Sequence, residues 1–280
     1  MADLHALASQ VRRDIVRMVH AVSSGHPGGS LGCADLLSFL YNERLRYDAN
    51  NFRMDGLNED VFFLSNGHIS PVWYSVLARS GFFPVSELAT FRKISSRLQG
   101  HPSVDKNLPG IRMASGSLGQ GLSVAIGAAT TKKMQGDESM VYCLMGDGEL
   151  QEGQVWEAAM YAGSKKINNL IGMIDYNNRQ IDGDVSDVMG IMPLSDKWTA
   201  FGWDVYHMDG HSFESMREVF AAIDSNKLNG MPKMIIMKTE MGKGVDFMMG
   251  THKWHGIPPS DEQLADALSQ LPETLADYPA

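Results

Sequence analysis

The apolar residues of this chain recur at helical spacing over long stretches of its first half. Residues 4–22 carry apolar side chains three to four positions apart, which predicts an amphipathic helix that ends before Gly25. A second helical pattern covers about residues 33–44. Small residues dominate between positions 116 and 136, and they predict a helix packed closely against another backbone.

Short apolar runs alternate with helical patterns through the rest of the chain. This alternation predicts a doubly wound α/β fold, in which a parallel sheet carries crossover helices on both faces. The expected strands are residues 61–64, 140–145, 170–174, 203–207 and 234–237, and the expected helices are residues 152–162, 195–201 and 213–223. We expect one domain over residues 1–280, with an irregular segment from about Gly242 and a last helix that starts at a capping box of Ser260 and Gln263.

Composition and charge narrow the class of protein. Hydrophobic residues make up 44% of the 280 residues and charged residues 20%, as in an ordinary globular domain. The net charge of −9 argues against a nucleic-acid partner, because a polyanion would be repelled. The chain has no signal-peptide pattern and no run of about 18 apolar residues, so we expect a cytoplasmic protein without membrane contact. Both cysteines, Cys33 and Cys143, are expected to be reduced, with Cys143 buried in an apolar run.

Two polar side chains follow neighbouring strands of the predicted sheet. Asp147 comes directly after the strand at 140–145 and lies between two glycines, and Asn177 comes shortly after the strand at 170–174. The carboxyl ends of adjacent parallel strands lie at the same edge of a sheet, where α/β proteins bind ligands. We therefore expect this carboxylate and this carboxamide to lie side by side.

This pair of side chains suits a magnesium ion that carries a diphosphate. Mg²⁺ takes oxygen ligands in near-octahedral geometry and leaves positions for phosphate oxygens. Asp147, Asn177 and the backbone carbonyl of Arg179 are the expected ligands, with Ca²⁺ or Mn²⁺ as alternative ions. Each residue alone has a simpler interpretation, Asp147 as a helix cap and Asn177 as an Asx-turn, but the pair at this spacing favours the metal site.

The segment around these ligands resembles the thiamine diphosphate motif of transketolases. Residues 146–183 read GDGELQEGQVWEAAMYAGSKKINNLIGMIDYNNRQIDG. Further matches follow in order: SSGHPGGSLGCADLL (23–37), LSNGH (64–68), QGHP (99–102), SGSLGQG (115–121) and THKWHG (251–256). The resemblance covers nearly the whole chain, and it implies a diphosphate-binding (PP-type) domain with thiamine diphosphate and Mg²⁺ as cofactors.

The resemblance also implies roles for residues around the cofactor. Backbone groups of Gly116, Ser117 and Leu118 would hold the aminopyrimidine ring. The residues implied at the diphosphate end and the reactive ring are Gly146, Asp147, Gly148, Glu149, Asn177, His68 and His255. Transketolases commonly carry proline where this chain has Ser117, and we expect little functional loss because the contacts there come from the backbone.

Four of the nine histidines match transketolase motifs. By that resemblance His68 and His255 lie near the diphosphate and the reactive ring, whereas His26 and His101 meet the hydroxyls and carbonyl of a ketose. Cleavage of a ketose C–C bond requires proton transfer at two oxygens near neutral pH, which suits histidine. Four other histidines are expected to be solvated: His5, His20, His207 and His211.

Two competing interpretations fit less well. Zinc usually needs ligands at short spacing, and these histidines are scattered over separate loops, apart from His252 and His255. Residues 28–32 satisfy the GxSxG pattern of α/β-hydrolases. That pattern requires a strand before the serine, but Ser30 follows a predicted helix and a turn, so we interpret the match as coincidence.

Transketolases take the glutamate that contacts the pyrimidine ring from a second domain across a dimer interface. The 280 residues contain no counterpart of that pyrimidine-binding domain or of the C-terminal domain after it. The resemblance therefore implies a partner chain with both domains, in an α2β2 heterotetramer, and Glu152 and Glu157 resemble interface glutamates of the family. We expect one subunit of a split transketolase, which transfers a two-carbon ketol unit from a ketose to an aldose, as free sugars or sugar phosphates.

Two alternatives stay open at this point. The chain could belong to another thiamine diphosphate enzyme, either deoxyxylulose-phosphate-synthase-like or 2-oxo-acid decarboxylating. It could also be a noncatalytic cofactor-binding subunit. The complete set of metal ligands and histidines favours the transketolase.

Overall fold

The computed structural model describes residues 3–226 and 229–279. The chain begins with α1 (Leu4–Ala21), which Asp3 caps by accepting hydrogen bonds from the backbone N–H groups of His5 and Ala6. The apolar face of α1 is buried, so the amphipathic pattern of the sequence corresponds to its contact with the core.

Nine further α-helices lie in the described part of the chain. They are α2 (Pro27–Gly32), α3 (Ala34–Phe39), α4 (Ser70–Arg79), α5 (Gly121–Gln135), α6 (Gly153–Ser164), α7 (Val185–Met189), α8 (Leu194–Ala200), α9 (Phe213–Ser225) and α10 (Asp261–Gln270). A π-helical turn covers Leu40–Arg44, and short 3₁₀ turns include Gly67–Ile69, Gly148–Gln151 and His252–His255.

Seven strands form two sheets in the described residues. The strands are β1 (Val61–Leu64), β2 (Val141–Gly146), β3 (Leu170–Tyr176), β4 (Arg179–Gln180), β5 (Gly183–Asp184), β6 (Asp204–Asp209) and β7 (Lys233–Lys238). The main sheet is wholly parallel, in the order β1-β2-β3-β7-β6, and β4 and β5 form a small antiparallel hairpin. The predicted doubly wound α/β class is confirmed.

The core consists of two apolar layers, one on each face of the main sheet. Side chains alternate along β3, so that Ile171 and Met173 belong to the layer under α1, α3, α4 and α9, whereas Leu170 and Ile174 belong to the layer under α5, α6 and α8. Helices on both faces bury the central strands β2, β3 and β7, which explains their continuous apolar runs, whereas the edge strand β6 is partly exposed.

The predicted elements are present with shifted ends. The helix expected over about residues 33–44 is α3, which continues into the π-helical turn of Leu40–Arg44. The sequence did not predict the glycine-rich α2, which precedes α3 and meets it at Cys33. Gly32 allows the backbone at Glu240 to approach α2 closely, since a Cβ atom there would lie 3.0 Å from the Glu240 carbonyl oxygen. Ser30 lies inside α2 and donates to the His26 carbonyl, so it is not a nucleophile at a strand end.

The C-terminal features agree with the pattern of the sequence. The capping box is confirmed, since Ser260 and Gln263 exchange side-chain and backbone hydrogen bonds at the start of α10. Both cysteines are free and buried, as expected. Among the described residues no helix is long and apolar enough to cross a membrane.

Candidate functional site

A cavity of about 370 Å³ lies at the carboxyl ends of β1, β2 and β3. The loops that follow these strands supply its floor, because parallel strands end at one edge of the sheet. Its wall includes His26, Asn66, His68, Gly116, Leu118, Gly146, Asp147, Gly148, Glu149, Glu152, Asn177, Arg179, Ile181 and His255. Most of the residues implied by the resemblance therefore line one cavity.

The predicted metal ligands lie at the floor of this cavity. Asp147 is 2% exposed, and its two carboxylate oxygens accept hydrogen bonds from the backbone N–H groups of Gly148 at 2.7 Å and Asn178 at 2.5 Å. Asn177 Oδ1 accepts from the Arg179 N–H at 2.8 Å. Asp147 thus caps a turn and Asn177 forms an Asx-turn, and both line the cavity while they do so.

The electrostatics of Asp147 suit a cation. Burial, together with the charge of the neighbouring Asp175, raises the pKa of Asp147 to about 7, although backbone N–H groups oppose the shift. The buried carboxylates of Asp147 and Asp175 repel each other when both are charged. A divalent cation between the loops would favour the charged form of both. Oxygen donors without sulfur or imidazole are the set that Mg²⁺ prefers. The donor set at the floor therefore fits the expected metal.

Two further residues that line the cavity have buried polar atoms without hydrogen-bond partners in the described part of the chain. His26 Nδ1 and Asn66 Oδ1 are buried and make no hydrogen bond within the described residues, and both residues line the cavity. An orphaned buried polar atom is unfavourable by about 1–3 kcal/mol. The cavity is therefore built to receive hydrogen bonds from a polar ligand.

The turn before α5 lines the cavity with backbone. Gly116 has φ 126°, and a Cβ atom there would lie 2.6 Å from the His101 ring. Leu118 lines the cavity, whereas Ser117 is exposed and lies outside its wall. The absence of a side chain at Gly116 thus makes room for the His101 ring, and Gly116 itself lines the cavity with backbone.

Glu149 connects the loops of the site. Its carboxylate is 2% exposed and accepts hydrogen bonds from the Gly119 N–H at 2.9 Å, the Gly146 N–H at 3.0 Å and the Ser65 hydroxyl. Burial raises its pKa despite these bonds. Since both oxygens are occupied by protein donors, Glu149 holds the loops after β1 and β2 against the turn before α5.

The four motif histidines come together: His26, His68 and His255 line the cavity, whereas His101 is exposed outside its wall, next to His26. The His26 ring centroid lies 5.1 Å from that of His68, 5.8 Å from that of His255 and 6.1 Å from that of His101, and His68 and His255 are 5.0 Å apart. Each comes from a different loop. The resemblance implied that these four histidines share one site, and the fold brings their rings close together.

The pKa values of all four imidazoles are lowered, which favours the neutral form at pH 7. Burial is the largest cause in each case, and it lowers the pKa of His26 to about 4 and that of His68 well below the usual value. Burial and the Arg92 guanidinium lower the pKa of His101, and burial lowers that of His255. Neutral imidazole carries one donor and one acceptor nitrogen, so these rings can both give and receive protons.

The two glutamates expected at the subunit interface, Glu152 and Glu157, lie at different places on the surface. Glu152 is exposed and lines the cavity. Glu157 lies on the outer surface of α6 beside Tyr161, outside the cavity wall. Arg179 directs its guanidinium to Asp184 across the β4–β5 hairpin and also lines the cavity.

The structure adds site residues that the sequence alone did not indicate. Asn66, Asp175, Gln180 and Ile181 line the cavity. All four lie inside the quoted motif segments, Asn66 in LSNGH and the other three in residues 146–183, but none of them was assigned to the site.

The expectation of a solvated His211 is wrong. Its Nδ1 lies 2.9 Å from Asp35 Oδ2, and its Nε2 accepts the Glu240 N–H at 2.8 Å. Asp35 also pairs with Arg12. The ring therefore belongs to a buried network that joins the β6–α9 loop to α3, because the chain after β7 passes directly over it.

Comparisons with known proteins show the family of this chain. Residues 4–273 match the family described as transketolase, thiamine diphosphate binding domain. The chain is 38% identical to one of the named subunits of the apulose-4-phosphate transketolase of Phocaeicola vulgatus, over 94% of this chain and 92% of that protein. It is 37% identical to the 6-deoxy-6-sulfo-D-fructose transketolase subunit SqwG of a Clostridium species, over 96% of both chains.

The fold is similar to that of solved transketolases. The crystal structure of transketolase from Campylobacter jejuni superposes with a TM-score of 0.87 at 36% identity, over 96% of this chain and 42% of that one. The transketolase from Leishmania mexicana gives a TM-score of 0.88 at 30% identity, over 100% of this chain and 43% of that one. The chain thus spans nearly all of the subunit relatives but less than half of these transketolases.

Proposed function

Because this chain belongs to the transketolase family, we propose that it is the diphosphate-binding subunit of a two-chain transketolase that transfers a two-carbon ketol unit from a ketose to an aldose. One observation carries the proposal. The cavity lined by Asp147, Asn177, His26, His68 and His255, with His101 beside His26, lies in a chain that matches named transketolase subunits over 92% and 96% of their length.

The floor of the cavity would hold the cofactor. We assign Asp147, Asn177 and the Arg179 carbonyl to Mg²⁺, with Gly146 and Gly148 beside the diphosphate and with His68 and His255 near it. The backbone of Gly116, Ser117 and Leu118 would contact the aminopyrimidine. When bound, thiamine diphosphate supplies the carbon nucleophile and electron sink that cleavage of a ketose C–C bond requires.

The histidines would act on the substrate oxygens. His26 lines the cavity and His101 lies beside it, and lowered pKa values favour neutral rings that can donate a hydrogen bond to a carbonyl or accept a proton from a hydroxyl. Such proton transfer contributes about 10²–10⁴-fold to a rate. We propose a sugar or sugar phosphate as substrate, the class named in both subunit relatives.

The partner would supply the other wall of the site. We propose a chain with a pyrimidine-binding domain and a C-terminal domain, assembled as α2β2, in which Glu152 and Glu157 lie at the interface. Both glutamates are exposed on the described surface, which is compatible with contact to another chain. The two free, buried cysteines suit a reducing compartment, and we assign the complex to the cytoplasm.

Reconstitution tests this function. The chain is purified alone and co-expressed with the product of the adjacent reading frame, and ketol transfer is measured with thiamine diphosphate, Mg²⁺, a panel of ketoses and an aldose acceptor. We expect activity only in the two-chain complex. A normal rate from the chain alone would contradict the split enzyme. Turnover of pyruvate without ketose turnover would favour another thiamine diphosphate enzyme, and silence with every substrate would favour a noncatalytic role.

A further inference from the structure

Asp175 is a buried carboxylate directly behind the metal ligands. It lies near the end of β3, opposite Gly146 of β2, and its side chain follows Ile171 and Met173 onto the face covered by α1 and α3. The residue is 2% exposed. A charged group in this apolar layer is unfavourable unless hydrogen bonds compensate for the lost water.

Two side-chain donors hold the Asp175 carboxylate. Asn177 Nδ2 donates to Oδ2 at 3.0 Å and the Thr239 hydroxyl donates to Oδ1, and the buried Cys33 thiol lies beside them. Thr239 follows β7 and Cys33 lies between α2 and α3. Elements from three parts of the chain thus converge on one carboxylate.

The carboxylate determines which end of the Asn177 amide faces the cavity. A carboxylate accepts hydrogen bonds and cannot donate one, so it selects the Nδ2 end of the amide. Oδ1 then lies on the other side, where it accepts the Arg179 N–H and keeps a second lone pair. A flipped amide would present N–H groups to a cation, and N–H groups cannot be ligands.

We propose that Asp175 is a positioning residue of the metal site, which holds the Asn177 amide with its oxygen towards the cation. This inference rests on the proposed cofactor site. The Thr239 hydroxyl fixes the carboxylate, so that its Oδ2 atom remains directed at Asn177. Partners behind a metal ligand typically change metal affinity by about 10–100-fold when they are removed.

A double-mutant cycle on the two-chain complex tests this role. Mn²⁺ binding is measured by electron paramagnetic resonance at saturating thiamine diphosphate for the wild type, Asp175→Asn, Asn177→Ala and the double variant. We expect Asp175→Asn to raise the Mn²⁺ Kd about 10–100-fold. In the Asn177→Ala background the same substitution is expected to have little further effect, because the two residues act as one unit.

Other results would overturn the inference. A Kd within twofold of the wild type in Asp175→Asn would exclude a positioning role. An equal loss in both backgrounds would assign Asp175 to a charge effect that does not pass through Asn177. Absence of Mn²⁺ binding in the wild type would instead overturn the cofactor site and, with it, the proposed function.

If Asp175→Asn does not fold, hydrogen exchange in the unmodified protein tests the same inference. The side-chain amide protons of Asn177 should exchange with solvent more slowly than those of Asn178, whose Nδ2 donates to exposed Ser186. Equal exchange rates would contradict a fixed Asn177 amide. Thr239→Val provides a milder variant, since it removes one group that fixes the carboxylate but keeps the carboxylate itself, and it should raise the Mn²⁺ Kd less than Asp175→Asn.

Discussion

The rings of His26 and His68 lie with their centroids 5.1 Å apart, although one precedes α2 and the other follows β1. Two protonated imidazoles at this separation would repel each other, and burial adds to that effect. The lowered pKa values therefore favour neutral rings at the mouth of the cavity, above the proposed metal ligands.

Substitution of Asp147 by alanine should abolish metal-dependent retention of the cofactor. The change removes the buried carboxylate at the cavity floor and leaves the N–H of Asn178 without its acceptor. We expect thiamine diphosphate to be lost on gel filtration of the complex, and calorimetry to show at least about a 100-fold weaker Kd. Glu138→Ala, at an exposed position, is the matched control. Unchanged retention in Asp147→Ala would show that the metal lies elsewhere.

His26→Ala should reduce turnover of the ketose donor more than binding of the cofactor. His26 is at the cavity mouth, and its Nδ1 has no partner within the described residues. We expect kcat/KM for the donor to fall about 10²-fold or more, with a small change in the Kd of thiamine diphosphate. His5→Ala, which changes an exposed ring outside the cavity, should behave like the wild type. A larger loss in cofactor affinity than in turnover would remove His26 from the substrate side.

The His26 ring should remain neutral well into the acidic range. Its pKa is lowered to about 4, whereas an unfolded histidine titrates near about 6.5. Between those values only the unfolded chain takes up the proton, so the free energy of unfolding should fall as pH falls from about 6.5 towards 4. Two-dimensional ¹⁵N NMR of the ring nitrogens should show the neutral form at pH 5. A ring that is mostly protonated at pH 6 would contradict the burial seen here.

Glu149→Gln should destabilise the protein although it preserves the size of the side chain. The new amide replaces one acceptor oxygen with an NH₂ group that faces donors of Gly119, Gly146 or Ser65. We expect a loss of about 1–3 kcal/mol in the free energy of unfolding, measured by urea denaturation. Glu138→Gln should change it by a few tenths of a kcal/mol. Equal stability of both variants would show that Glu149 does not hold these loops together.

The helical and strand periods predicted most of the α/β alternation, because each element buries a regular face of its own. They did not predict α2 at residues 27–32, which contains three glycines and lies close to the backbone near Glu240. His211 is a similar case. Its position in a predicted loop indicated that the side chain is exposed to solvent. The structure instead places the His211 ring against Asp35 and the backbone N–H of Glu240.

For the site, the sequence by itself determined the strand-end positions of Asp147 and Asn177 and the motif membership of four histidines. These follow from local order along the chain, since residues just after parallel strands must meet at one sheet edge. Only the tertiary structure decided that the pKa values of these histidines are lowered and that Asp175 faces the Asn177 amide. Charge state and amide orientation depend on neighbours from distant segments, and their distances are set by the packing of the whole core.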